Sequence, residues 1–103
     1  MALLHRHVAV QTADFDLSHE SGLLAQACDQ VGAVVSFTGH VRAWGEGSVA
    51  LELEHYPGMT ESKIVDILDD ARKQWDILDA LVIHRIGHVL PNETLVVVAV
   101  WSA

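Results

Sequence analysis

Leu51-Glu52-Leu53-Glu54-His55-Tyr56-Pro57-Gly58-Met59-Thr60 changes its period in mid-stretch. Val49, Leu51, Leu53 and His55 alternate with Ala50, Glu52 and Glu54, the pattern of a half-buried strand. Tyr56-Pro57-Gly58 ends that alternation, because proline fixes one backbone angle and glycine admits a positive one. Thr60 is then read as the N-cap of a helix, with Glu61 favourable in its first turn. Ile64, Ile67, Leu68, Ala71 and Trp75 form one apolar stripe, while Lys63, Asp66, Asp70 and Lys73 fall on the side facing water. A strand, a sharp turn and an amphipathic helix in the middle of a short chain predict a mixed architecture.

The flanking sequence extends this pattern in both directions. Downstream, Ala80 to Ile86 reads as a strand and Leu90-Pro91-Asn92-Glu93 as a turn. Thr94 to Trp101 is a nearly continuous apolar strand, which predicts cover on both faces. Upstream, Arg6 to Gln11 alternates around Val8 and Val10. Ser18 can cap a short helix with Leu24, Ala27, Cys28 and Val31 on one face. Gly32 ends that helix and opens a strand from Ala33 to Val41. Ala43 to Ser48 is a loop with two glycines. The resulting order, β-α-β-β-α-β-β, predicts an α+β fold with a mixed or antiparallel sheet and two packed helices, one domain over residues 1–103.

Composition narrows the function classes. The chain has 103 residues, half of them hydrophobic, so its core is small and association would help it. Fourteen acidic against six basic residues leave a net charge of -8, which argues against nucleic acid as a partner. Any anionic ligand must therefore be held by a local cation. The single cysteine, Cys28, fits a reducing compartment and packs rather than reacts. Met1 to Asp16 lacks the apolar run of a signal peptide, and Leu95 to Trp101 is too short to span a bilayer. The expectation is a cytoplasmic protein without a membrane partner.

Arg42 is the first candidate for chemistry. It ends a strand beside a glycine-containing loop, where a guanidinium can grip a phosphate or carboxylate with two parallel hydrogen bonds. A solvated arginine at a strand end is the other reading of the same position. His84 and His88 are four apart around Arg85, but zinc pairs at that spacing belong on a helix, and Gly87 interrupts a strand here. No metal site is expected. Histidines satisfied at a sheet edge or interface is the better reading, and Arg85 is either a surface cation or an interface contact. His55 has no nucleophile at a diagnostic spacing, so its place is architectural. Gly45-Glu46-Gly47 is too short and too acidic to cradle a phosphate.

Gly32 to Arg42, Leu51 to Thr60 and Val82 to Gly87 (GAVVSFTGHVR, LELEHYPGMT and VIHRIG) resemble, in order and spacing, the large catalytic subunit of molybdopterin synthase. The resemblance covers roughly Gly32 to Ala103. It implies an α/β hammerhead-like fold that dimerises, within a heterotetramer completed by a small ubiquitin-like sulfur-carrier subunit. It also implies a sulfurtransferase of molybdenum cofactor biosynthesis. Thiocarboxylate sulfur on the small subunit's Gly-Gly tail would be added to cyclic pyranopterin monophosphate, giving the dithiolene. The segment matching His40, Val41 and Arg42 belongs to the family's pterin pocket, with the arginine on the anionic ligand. His40 stands where the family often has lysine, so the charge there depends on pH. The family continues past Trp101-Ser102-Ala103 with its catalytic lysines and a further His-Arg pair. The resemblance therefore implies a C-terminally short chain with no catalytic residue of its own and no cofactor. A shortened, non-catalytic paralogue acting as a dimeric scaffold is the alternative, and an α+β domain of unrelated function the third reading.

Overall fold

The computed structural model describes residues 8–15, 30–43, 47, 50–54 and 58–103. Its central element is the apolar run at the C-terminal end. Strand β6 (Thr94–Ser102) is rich in β-branched residues, and it lies between β4 (Asp79–Arg85) and β2 (Ala33–His40), antiparallel to both. Strand β1 (Val8–Gln11) adds to the far side of β4 in parallel, giving the order β1-β4-β6-β2. A separate two-stranded ribbon pairs β3 (Leu51–Leu53) with β5 (Gly87–Val89).

Helix α1 (Met59–Gln74) packs on one face of the sheet. Ile64 and Leu68 meet Val8, Ala80, Val82, Ile77 and Val98 there. The opposite face gathers Leu81, Ile83, Val97, Ala99 and Trp101, with Ala9, Phe15 and Val31 against them. Both faces of the β4–β6 pair are thus covered, which is why Thr94–Ser102 shows no polar alternation. Along β6 the odd positions Val97, Ala99 and Trp101 are fully buried and the even ones half-buried.

The α+β expectation holds, with a mixed sheet and one helix among the described residues. The helix expected from Ser18, with Leu24, Ala27 and Cys28, lies outside the described residues, as do Arg6, His55, Tyr56 and Pro57. Four readings are corrected. The N-cap of α1 is Gly58, not Thr60. Gly58 has φ 82°, a left-handed conformation that suits glycine, and its N–H donates to the Glu61 carboxylate at 2.9 Å, so the helix starts two residues earlier. The expected single strand through Ile86 is followed directly by a second one, β5. Gly87, at φ 76°, turns the chain from the main sheet into the ribbon. Leu51–Leu53 belongs to that ribbon rather than to the main sheet. Finally, Ile67 and Trp75 are 66% and 63% exposed. A single helix covers only part of a four-stranded face, and Trp75 already lies past the helix with extended backbone angles.

Trp101 is 2% exposed in the middle of this packing. Trp101→Ala should remove roughly 3–5 kcal/mol of stability, read as a lowered urea midpoint. An unchanged midpoint would show that the core does not depend on β6.

Candidate functional site

The site grows out of the end of β2. Gly39 pairs with Val96 and His40 with Thr94, so the register slips by one residue there and Leu95 has no partner on β2. A side chain at Gly39 could not be accommodated without movement, because its Cβ would lie 2.9 Å from Val96 Cγ1. The backbone leaves the sheet at this bulge and is caught immediately. Val41 N–H donates to the Glu93 carbonyl at 3.0 Å, and Asn92 N–H donates to the Val41 carbonyl at 2.7 Å. The Val41 side chain is buried at 4% exposure. His40 and Arg42, on either side of this anchor, are exposed. Of the three residues singled out from the sequence, two face outward and the middle one fixes them in place.

The turn that holds Val41 is itself tightly specified. Glu93 N–H donates to the Leu90 carbonyl at 3.1 Å, and Leu90 N–H donates to Glu93 Oε1 at 2.7 Å. Asn92 takes φ 71°, a conformation that asparagine tolerates better than most residues. Behind the turn sits Arg85, 6% exposed. Its Nε and Nη2 both donate to the Thr12 carbonyl, at 3.3 and 3.2 Å. Its Nη1 donates to Glu93 Oε2 at 3.3 Å and to the Thr94 carbonyl at 3.4 Å. Arg85 is therefore neither a surface cation nor one left free for a partner. It is a buried clamp joining the end of β1, the start of β6 and the 90–93 turn. The Leu90 N–H, and after it the Arg85 guanidinium, hold the Glu93 carboxyl below its ordinary range.

The two histidines around Arg85 belong to different sheets. His84 Nδ1 donates to the Arg85 carbonyl at 2.7 Å, which fixes that tautomer. His88 Nδ1 contacts Glu52 Oε1 across the β3–β5 pair. Among the described residues no three His, Cys, Asp or Glu side chains converge in a metal-binding group. An open groove of about 360 Å³, lined by Arg72, Trp75, Asp76, Ile77, Leu78 and Ala103, lies elsewhere. Ala103 follows the β6 end paired with Ala33, the opposite end of β2 from His40.

What the sequence reading missed is the supporting set of Thr12, Asn92 and Glu93. The available signal was an arginine inside an apolar strand, at the same parity as Leu81 and Ile83. Such a position demands buried acceptors.

Residues 10–103 match the family described as MoaE protein. The chain belongs to the MoaE family. Within it, a molybdopterin synthase catalytic subunit from Ralstonia nicotianae is 50% identical over 97 residues, 92% of this chain and 55% of that protein. The chain thus spans little more than half the length of that relative. Among solved structures, molybdopterin cofactor biosynthesis protein E from Burkholderia multivorans superposes with a TM-score of 0.86 at 42% identity, covering 94% of this chain and 68% of that one. A complex of subunits 1 and 2 of the Helicobacter pylori molybdopterin-converting factor shares the fold, with a TM-score of 0.74 at 17% identity, covering 92% of this chain and 64% of that one.

The lowered Glu93 pKa has a definite consequence. Ionised Glu93 stabilises the folded MoaE-family chain above the ordinary carboxyl value of 4.5, and that contribution is lost as pH falls through the lowered folded value. Glu93→Gln should therefore be less stable than the parent near neutrality, with the gap closing in acid. Urea midpoints that differ equally at all pH values would contradict this.

Proposed function

We propose that this chain is the pterin-binding portion of a molybdopterin synthase catalytic subunit, a sulfurtransferase of molybdenum cofactor biosynthesis. In this reading Arg42 grips the anionic group of cyclic pyranopterin monophosphate with its planar fork, and His40 lines the same pocket. Val41 holds both in register. The single observation that carries the assignment is the geometry at the end of β2, where an exposed guanidinium follows a backbone unit held by two hydrogen bonds. A cation on a fixed backbone binds an anion with less ordering cost than one on a mobile loop. On a chain of net charge -8, such a local cation is also what an anionic ligand requires.

The sulfur donor is a small ubiquitin-like subunit bearing a C-terminal thiocarboxylate. The two-subunit complex from Helicobacter pylori and the family membership support that partner. The working assembly is a homodimer of this chain with one small subunit on each copy, acting in the cytoplasm. Residues 1–103 form a single domain that supplies the pterin-binding cation.

Calorimetric titration of the chain with the pterin monophosphate tests the binding reading. Arg42→Ala should weaken affinity at least about tenfold, the scale of one lost charge-assisted contact. Full affinity in Arg42→Ala would move the anion site elsewhere.

A further inference from the structure

Building on the Arg42 reading above, we propose that Arg85 and Glu93 are positioning residues of the anion site, setting its affinity by holding Arg42 in place through Val41. The β2–β6 ladder does not reach far enough to do this. Its register slips between Gly39 and His40, and its last pair is His40 with Thr94. Past that pair the chain is held from the 90–93 turn, where the Glu93 carbonyl accepts the Val41 N–H at 3.0 Å. Arg85 Nη1 touches both of these partners, donating to Glu93 Oε2 at 3.3 Å and to the Thr94 carbonyl at 3.4 Å. Its Nε and Nη2 tie the same guanidinium to the Thr12 carbonyl, just past the end of β1. Glu93 is the joint of the arrangement. One of its carboxylate oxygens accepts from Arg85 and the other from the Leu90 N–H, while its backbone carbonyl takes Val41.

Fold stability alone does not call for this pair. An apolar side chain of similar volume often fills a buried position as well as an ion pair does. What the guanidinium adds is direction, because a planar fork bonded to Thr12, Glu93 and Thr94 at once leaves the turn a single arrangement. Arg85 is 6% exposed and paired with Glu93, so it presents no free charge to a ligand. Its influence on an anion at Arg42 is then one of position and not of field.

That difference has a sign. Glu93→Gln removes a negative charge near the site, so a field effect would tighten binding of an anion. A positioning effect weakens it, since the amide has one oxygen for the two donors, Arg85 and the Leu90 N–H. Arg85→Met leaves Glu93 unpaired, a charge that repels an anion whether or not Arg42 is present. Calorimetric titration with cyclic pyranopterin monophosphate therefore uses both variants, each also combined with Arg42→Ala, with circular dichroism checking the fold. In the parent background Arg85→Met should weaken affinity at least about tenfold and Glu93→Gln at least about threefold, the scale of a misplaced charge-assisted contact. In the Arg42→Ala background each should change affinity by less than about twofold. Should Arg85→Met fail to fold, Glu93→Gln carries the comparison, its side chain being 34% exposed. Parent affinity in the folded variants, tighter binding by Glu93→Gln, or equal losses in both backgrounds would overturn the positioning role and leave the Arg42 reading standing. Parent affinity in Arg42→Ala itself would overturn that reading and the positioning role with it.

Discussion

A buried guanidinium organises the end of the sheet that carries the candidate site. Arg85 reaches the Thr12 carbonyl with two nitrogens and Glu93 and the Thr94 carbonyl with a third. Burying a charge is costly unless acceptors surround it, so those groups must be in place when the chain is folded. That requirement ties the end of β1 to the start of β6 and fixes the 90–93 turn. The turn in turn takes hold of Val41 from both sides of its peptide. Arg42 thus inherits its position from a buried cation behind the turn. The arrangement separates two roles that a single surface arginine could not combine.

The sheet supplies the rigid base on which that clamp is mounted. β6 is hydrogen-bonded on both edges and covered on both faces at its centre, so its start at Thr94 is well anchored. The bulge at Gly39 and His40 then frees β2 from its ladder at the point where the chain must diverge towards the turn. Coverage is uneven, since α1 shields the β1–β4 side of one face and leaves the outer strand open. The same asymmetry that exposes Val35 and Phe37 brings them to the strand that ends in the candidate site.

Local signals carried much of this into the sequence. The alternation before Pro57, the stripe after it and the apolar run from Thr94 are set by neighbours a few residues away, and the elements formed close to those limits. Ala33 to His40 was legible for the same reason. Features decided by distant partners were not. Arg85 looked like a surface or interface cation because Thr12 lies 73 residues away in the chain. β5 has three residues, too few for a period to show. Ile67 read as core because a stripe says which face is apolar and not how much of the sheet it meets. Gly58 took the cap from Thr60 because the turn, not side-chain capping preference, set where the helix begins. At the site, family resemblance pointed to His40-Val41-Arg42, but the inward middle residue is held by Asn92 and Glu93, too far along the chain for any local pattern to show.

The central claim is that Arg85 positions Arg42 through the turn and Val41. Amide hydrogen exchange in Arg85→Met tests it most directly. The Val41 and Asn92 amides should exchange at least about tenfold faster than in the parent, with Val98 at the centre of β6 still protected, the signature of local rather than global opening. Unchanged protection at Val41 and Asn92 would mean that the turn holds the site without the clamp, and the account would be wrong.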